Sequence, residues 1–245
     1  MFYIIGVGLK PKQLTLEAMD CIRNCTEVYI DNYTNIFSQG DLKELEEIIE
    51  KKIMQLNRTE LEQEKKYLKD GSCLLVIGNP LSATTHFTLI EEAKKKKIDI
   101  KIIAGISIFN YRGISGLFEY KFGKTTSIVY PDGNYRPTSF YDCIIENLKN
   151  NAHTLCLLDI KTDKKKFMSI FEACQILEEI DNEKDKKLKD VVCVGLCGVA
   201  GIDQEIITFD FLEYKKIKCK SFPQSLIICA TLNDIERDGI NEYRC

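Results

Sequence analysis

Short apolar runs alternate with longer segments of helical periodicity through the first half of the chain. The runs at residues 2–7, 27–30, 73–77 and 98–103 are predicted as buried strands. Helices are predicted from residue 15 onward and at residues 41–51, 59–69 and 108–117. Because strands and helices alternate in this way, the first half is predicted to be a doubly wound α/β domain with a mostly parallel sheet.

The pattern restarts after a polar loop near residues 119–126, which places the predicted domain boundary between residues 1–118 and 119–245. Strands are then predicted at residues 126–130, 154–158, 191–196, 205–208 and 226–229, and helices at residues 138–149, 166–180 and 233–243. The strands at 191–196 and 205–208 flank a glycine-rich segment and favour an antiparallel hairpin, so the second sheet is predicted to be mixed. The charged stretch 181–190 is predicted to be an exposed, mobile linker.

Composition narrows the class of protein. The 245 residues are 44% apolar and 29% charged, as in an ordinary soluble globular protein. The 34 basic and 37 acidic side chains nearly cancel, which gives no support to nucleic-acid binding. We expect no membrane segment and no signal peptide, and therefore a cytoplasmic protein. The 11 cysteines contain no CxxC pair and are expected to be reduced and buried, with no metal site.

The most informative segment is the run GNPLSATTH at residues 78–86, which directly follows a predicted strand. Ligands bind at the carboxyl ends of strands in open α/β sheets. Gly78 and Pro80 fix an unusual backbone, and Thr84 or Thr85 is predicted to start the next helix. The run therefore predicts a ligand-binding loop, with ordinary turn chemistry as the alternative.

Three other loops at predicted strand ends share its small or glycine residues, namely 8–10, 104–107 and 195–201. Such loops favour a cofactor that is held by backbone groups and apolar contacts, with few charged side chains. A nucleoside with an amino-acid tail suits this composition better than a nucleoside triphosphate.

A dinucleotide site is the alternative interpretation of the first loop. Gly6 and Gly8 follow a strand as in the NAD and FAD fingerprint, but Pro11 stands where the third glycine would fall. Asp31 stands about where a ribose-binding acid is expected, although residues 31–34 also suit an ordinary polar loop.

No catalytic residue is predicted from the pattern. His86 and His153 are the only histidines, and both positions favour a capped or partly exposed side chain over a catalytic one. No serine, histidine and acid follow the spacing of a known catalytic triad.

Several ordered stretches resemble diphthine synthases, a family within the tetrapyrrole methylase-like superfamily of S-adenosylmethionine-dependent methyltransferases. These stretches are FYIIGVGL (2–9), ATTH (83–86), YKFG (120–123), SIV (127–129), HTLCLLDIK (153–161), DQ (203–204) and SLII (225–228). The resemblance implies two α/β domains, a homodimer, and a folded S-adenosylmethionine in the cleft between the domains.

By the same resemblance, eight residues are expected to contact the cofactor. They are Leu9, Asn79, Ser82, Ser107, Ile108, Leu158, Val199 and Gln224. The implied substrate is a modified histidine of translation elongation factor 2, which is methylated on its amino group and, in eukaryotic members, also on a carboxylate. A methylase of a small molecule such as a tetrapyrrole, or an inactive binding module of the same fold, is the alternative.

Three of these positions differ from the family pattern. Asn79 stands where an acid is common, Ser82 where glycine is common and Gln224 where histidine is common. Asparagine keeps an acceptor oxygen but has no charge, so its attraction to the cofactor ammonium is weaker. Because a sulfonium methyl group is already electrophilic, positioning is expected to dominate catalysis, and we expect His86→Ala to leave most methyl transfer intact.

Overall fold

The computed structural model describes residues 1–31, 35–83, 86–133, 135–184 and 186–244. The chain divides into two compact units, residues 1–110 with 161–165 and residues 111–160 with 166–245. The boundary expected after residue 118 stays a prediction. Among the described residues, no helix has the length and apolar character needed to cross a membrane.

The first unit is built on a five-stranded sheet. Its elements in chain order are β1 (Phe2–Gly6), α1 (Leu16–Arg23), β2 (Glu27–Asp31), α2 (Leu42–Ile49), β3 (Ile53–Leu56), β4 (Ser72–Val76), α3 (Phe87–Lys95) and β5 (Ile100–Ile103). The strand order is β3-β2-β4-β1-β5, and every neighbouring pair is parallel. The predicted doubly wound parallel sheet is thus confirmed.

Both faces of this sheet are buried because alternate residues of each strand join different cores. In β4, Cys73 and Leu75 pack in one core with residues of α1 and α2, whereas Leu74 and Val76 pack in the other with residues of α3. Such two-sided burial explains why parallel strands are almost continuously apolar in sequence. All carboxyl ends of the strands consequently lie at one edge, where the loops after β1, β4 and β5 begin.

The second unit contains the mixed sheet. The remaining elements are β6 (Thr126–Ile128), α4 (Ser139–Lys149), β7 (Thr154–Leu158), β8 (Ile160–Lys161), β9 (Lys166–Phe167), α5 (Ile170–Glu183), β10 (Val192–Cys197), β11 (Glu205–Asp210), β12 (Gln224–Ile228) and α6 (Asp234–Asn241). The five-stranded order is β11-β10-β12-β7-β6. Only β6 and β7 are parallel, and β10 and β11 form the predicted antiparallel hairpin.

Two predicted helices of the first half are wrong in type. Residues 59–69 contain only one π-helical turn, Glu60–Glu64, and residues 108–117 contain the 3-10 turns Ile108–Asn110 and Arg112–Ser115. The second of these turns ends at Gly116, whose φ of 95° stops a right-handed helix. Strand β3 was not predicted, since four residues carry too little periodicity.

The stretch 181–190 is not simply an exposed linker. Helix α5 begins at a Ser169–Glu172 capping box rather than at residue 166, and it continues to Glu183. Asp181 is 6% exposed and accepts hydrogen bonds from the Tyr141 hydroxyl at 2.7 Å and the Lys187 amide at 2.9 Å. This internal hydrogen bonding explains how a charged residue is buried there.

The expectation that every cysteine is reduced is also wrong for one pair. Cys197 and Cys219 form a disulfide. Most of the other described cysteines are free and buried, in agreement with a packing role.

Candidate functional site

Three glycine loops contact each other through their backbones at the carboxyl edge of the first sheet. A Cβ atom on Gly6 would lie 2.6 Å from the amide nitrogen of Gly105, and one on Gly105 would lie 2.3 Å from the carbonyl oxygen of Gly78. The Gly78 amide also donates to the carbonyl of Gly8 at 2.9 Å. Only glycine permits this approach at positions 6 and 105, so the loops after β1, β4 and β5 form one surface.

The loop after β4 is a tight turn that leaves polar groups unused. The side-chain oxygen of Asn79 accepts from the Leu81 amide at 3.1 Å, and the Ser82 amide donates to the Asn79 carbonyl at 3.2 Å. Ala83 follows in the left-handed region, with φ of 56°. Within the described residues, the amide nitrogen of Asn79 and the hydroxyl of Ser82 have no hydrogen-bond partner. The turn interpretation is therefore correct for the backbone, while these two groups remain free for a ligand.

The other two loops of the first unit are fastened by side chains. The Leu9 amide donates to the side-chain oxygen of Gln13 at 2.8 Å, and the Ser107 amide donates to that of Asn110 at 2.9 Å. Leu9 is 5% exposed and Ser107 is 6% exposed, and Ile108 follows at the start of a 3-10 turn. These contacts hold the expected cofactor residues in fixed positions.

Ser38 is a residue of this region that the sequence pattern did not indicate. Its amide donates to the carbonyl of Leu9 at 2.8 Å. Its hydroxyl oxygen is buried and has no hydrogen-bond partner in the part of the chain that the structure describes. Buried hydroxyl groups normally have a partner, so this atom indicates spare hydrogen-bonding capacity beside Leu9.

His86 and Asp31 form a buried pair beside the same loop. The Nε2 atom of His86 lies 3.1 Å from a carboxylate oxygen of Asp31, and its Nδ1 atom lies 3.2 Å from the carbonyl oxygen of Pro80. The two side chains are 6% and 1% exposed. The expectation of a partly exposed histidine is thus wrong for His86, which occupies the N-cap position of α3, and equally for His153, whose side chain is 0% exposed. The predicted helix start at Thr84 or Thr85, and Asn32 to Thr34 of the polar loop, lie outside the described residues.

The expected cofactor residues of the second unit lie at one end of its mixed sheet. Leu158 ends β7, Val199 follows β10, and Gln224 begins β12 and pairs with Cys197 of β10. All three residues are buried. The structure therefore brings Leu158, Val199 and Gln224 to a common edge.

Gln224 differs from the polar residues of the first unit because both its side-chain oxygen and its side-chain nitrogen form hydrogen bonds within the protein. Its oxygen accepts from the Ile170 amide at 2.8 Å, and its nitrogen donates to the carbonyls of Ser221 at 3.1 Å and Cys219 at 3.4 Å. These bonds join the start of α5 to the loop before β12. The side chain stabilises this edge of the sheet, a role that the sequence pattern did not indicate.

A second polar cluster, also not predicted, lies next to Leu158. The Tyr130 hydroxyl donates to Glu172 at 3.0 Å, and the Tyr130 amide donates to Asp159 at 3.2 Å. Burial raises the pKa of Tyr130, as does its bond to Glu172. Burial by itself would raise the pKa of Glu172, but hydrogen bonds from Ser169 and Tyr130 outweigh it and lower that pKa. The sequence could have indicated this cluster, because Tyr130 and Asp159 follow two neighbouring parallel strands, and polar residues at such strand ends lie close together.

Comparison with known proteins identifies the family to which a chain with these loops belongs. The profile of the family described as Tetrapyrrole (Corrin/Porphyrin) Methylases matches residues 1–210. The diphthine synthase of Staphylothermus marinus is 37% identical over 254 residues, which cover 100% of this chain and 94% of that protein. The chain belongs to the tetrapyrrole methylase family.

Within that family, the relatives are consistently diphthine synthases. The diphthine methyl ester synthase of Bos taurus is 36% identical, with 99% of this chain and 95% of the bovine protein covered. A crystal structure described as that of a diphthine synthase matches with a TM-score of 0.86 at 27% identity, covering 100% of this chain and 96% of that chain. This tetrapyrrole methylase is therefore an S-adenosylmethionine-dependent methyltransferase of diphthamide biosynthesis, and the family and activity implied by the resemblance are confirmed.

A cavity elsewhere in this methylase does not coincide with the expected site. It has a volume of about 580 Å³ and is lined by residues such as Val192, Asp210, Cys229 and Ile240. Val192 begins β10 and Asp210 ends β11, so the cavity lies at the opposite end of the second sheet from Val199 and Gln224. None of the eight expected cofactor residues lines it.

Proposed function

We propose that this methyltransferase transfers methyl groups from S-adenosylmethionine to the modified histidine of translation elongation factor 2. The amino group of that residue is the first acceptor, and its carboxylate is a further one. The observation that carries the proposal is the full-length similarity to proteins named diphthine synthase and diphthine methyl ester synthase. A resemblance restricted to the cofactor loops would support only the reaction type, whereas this one covers 99–100% of the chain.

We propose further that the eight residues expected from the family pattern contact the cofactor. They are Leu9, Asn79, Ser82, Ser107 and Ile108 in the first unit and Leu158, Val199 and Gln224 in the second. Among the residues that the structure describes, the amide nitrogen of Asn79 and the hydroxyl of Ser82 have no partner, which supports this assignment because they offer a donor and a donor–acceptor to the polar ends of such a ligand. The glycine loops support it as well, since their close backbone contacts bring the ends of β1, β4 and β5 together in one surface.

The role of these residues is to orient the cofactor and to exclude water. S-adenosylmethionine supplies an electrophilic methyl group on a sulfonium, which needs no further activation by the protein. Holding two reactants in the correct geometry is worth up to about 7–11 kcal/mol of the barrier in well-oriented systems. A carboxylate acceptor is already ionised at neutral pH, and an amine acceptor loses its proton before it attacks. No residue of the chain is assigned as a general base.

The test is a transfer assay with the purified chain and methyl-labelled S-adenosylmethionine. We expect label on elongation factor 2 that carries the unmethylated precursor, and none on the same factor from cells that cannot make the precursor. Transfer to a tetrapyrrole but not to the factor would replace the proposal with the small-molecule activity. Cofactor binding with no transfer to either acceptor would instead identify an inactive binding module.

We also propose that the protein works as a cytoplasmic homodimer, as the family resemblance implies. Light scattering on the purified protein should give twice the 28.1 kDa mass of one chain. A mass equal to one chain at working concentration would contradict the dimer and leave the methyl-transfer proposal unaffected.

A further inference from the structure

We infer that His86 is a positioning residue, which holds the loop of Asn79 and Ser82 in the shape that admits the cofactor. The inference rests on the proposed function of that loop. The imidazole of His86 bridges two separate segments of the chain. Its Nδ1 atom is 3.2 Å from the carbonyl oxygen of Pro80, and its Nε2 atom is 3.1 Å from a carboxylate oxygen of Asp31.

These contacts join three elements of the first unit at one point. Asp31 ends β2, Pro80 lies in the loop after β4, and His86 directly precedes α3. Strands β2 and β4 are neighbours in the sheet, with Asp31 paired to Val76. Asp31 is therefore fixed by the sheet, and through His86 it fixes the carbonyl between the two polar residues of the loop.

The chemistry of the two neighbours determines the form of the ring. A carbonyl oxygen only accepts hydrogen bonds, and so does an ionised carboxylate. The Pro80 carbonyl therefore requires a proton on Nδ1 of His86, which donates this bond, while the carboxyl group of Asp31 engages the other ring nitrogen. Burial at 6% and 1% exposure keeps water from competing with either bond of the ring.

The loop has a conformation that needs such support. Ala83 has φ of 56°, a region that is unfavourable for residues with a Cβ atom, and Gly78 has φ of 86°. Within the described residues, the main hydrogen bonds that stabilise the loop internally are those that Asn79 accepts from Leu81 and Ser82. An external bond to the Pro80 carbonyl thus stabilises a backbone that would otherwise relax toward commoner conformations.

The first experiment measures cofactor affinity by calorimetry and methyl-transfer rate at saturating cofactor. His86→Ala should raise the Kd for S-adenosylmethionine by about tenfold to a hundredfold, the range for leaving a buried hydrogen-bonding group without its partner. The rate at saturation should change by less than about threefold, because His86 touches no reacting atom and saturation restores the loop. This split agrees with the expectation that His86→Ala keeps most methyl transfer.

Two conservative variants separate the two bonds of the ring. In His86→Asn the side-chain nitrogen takes the place of Nδ1, so the bond to Pro80 is kept and the Kd should recover to within about threefold of the wild type. His86→Gln places its nitrogen near Nε2 and keeps only the contact with Asp31, so its Kd should stay high. The exposed Glu91 on α3 provides a matched control, and Glu91→Gln should leave the Kd unchanged.

Amide hydrogen exchange of residues 78–83 without cofactor gives a second measurement that does not depend on activity. Exchange should be faster in His86→Ala and His86→Gln than in the wild type, His86→Asn or Glu91→Gln. Equal exchange in all five proteins, or a Kd for His86→Ala within about twofold of the wild type, would overturn the inference.

A wild-type chain that binds no S-adenosylmethionine would instead contradict the proposed function, and the exchange result would still decide the role of His86. If His86→Ala does not fold, the comparison of His86→Asn with His86→Gln decides it.

Discussion

The buried carboxylate of Glu236 should be a main source of stability in the second unit. Its oxygens contact the Lys121 ammonium at 2.5 Å and the His153 Nε2 atom at 2.8 Å, and they accept from the amides of Asn233 and Phe118 at 3.2 Å each. The side chains of Glu236 and His153 are both 0% exposed. Glu236→Gln keeps the shape of this side chain but removes the negative charge, and leaves Lys121 without a buried counter-charge.

The magnitude follows from the pKa of Glu236. Burial alone would raise it, but bonds from Lys121, His153 and two backbone amides outweigh burial and lower it from 4.5 to about 2. At about 1.4 kcal/mol per pH unit, this lowering contributes on the order of 3 kcal/mol to folding at neutral pH. Because the carboxylate is buried, water does not screen these contacts as it screens a surface pair.

The sign of the pH dependence is fixed by the direction of the shift. A carboxylate whose pKa is lower in the folded state contributes fully above its unfolded pKa of 4.5, and the contribution is lost as pH falls toward about 2. Burial lowers the pKa of His153 because it disfavours the charged imidazolium. The neutral ring therefore contributes stability above its unfolded pKa of 6.5, and this contribution is also lost as the pH falls. Its Nδ1 atom accepts from the Ala230 amide at 3.0 Å, in agreement with a neutral ring.

Urea unfolding of wild type and Glu236→Gln provides the assay. We expect the variant to be less stable by about 3 kcal/mol at pH 7, and the difference to shrink by about 2 kcal/mol at pH 3, where the wild-type advantage is being lost. Glu146→Gln, which removes an exposed partner of Lys124, should leave the transition unchanged. A Glu236→Gln transition that coincides with the wild type at pH 7, or a difference that is the same at both pH values, would show that the charge of Glu236 is not the source of this stability.

Two further variants test other parts of the structure. Gly105→Ala should abolish measurable S-adenosylmethionine binding, because its Cβ would lie 2.3 Å from the Gly78 carbonyl oxygen. The control Gly133→Asn should bind normally, since position 133 faces open space at a φ of 55° that asparagine tolerates. Normal binding by both variants would contradict the contact between the loops. Gln224→Ala should lower the free energy of unfolding by about 1–3 kcal/mol, since it leaves the buried Ile170 amide without an acceptor; an unchanged urea midpoint would argue against this structural role.

The fold could be predicted from the sequence wherever burial sets the pattern. Residues 73–77 have apolar side chains on both faces of a buried strand, and the antiparallel strands β10 and β11 flank a glycine-rich turn. The predicted helix at 108–117 failed because Gly116 and the Ser107–Asn110 bond favour 3-10 turns over a continuous helix. Local periodicity carries no information about such side-chain bonds to the backbone.

The site was only partly accessible to sequence reasoning. Glycine-rich loops at strand ends indicated where a ligand binds, because the geometry of a parallel sheet brings those ends together. The buried pair of His86 and Asp31 joins residues 55 positions apart in the chain, and the bonds of Gln224 to Ile170 join residues 54 apart. Contacts of that range depend on how the elements pack, so a single sequence gave no signal for them.

Mass spectrometry of elongation factor 2 after incubation with the purified chain shows directly whether the modified histidine is the methyl acceptor. With methyl-deuterated S-adenosylmethionine, we predict that whole deuterated methyl groups appear on the one peptide that contains the modified histidine. Fragmentation should locate them on the amino group and, as a base-labile ester, on the carboxylate of that residue. An unmodified peptide, or deuterated methyl groups on another residue of the factor, would show that this histidine is not the acceptor.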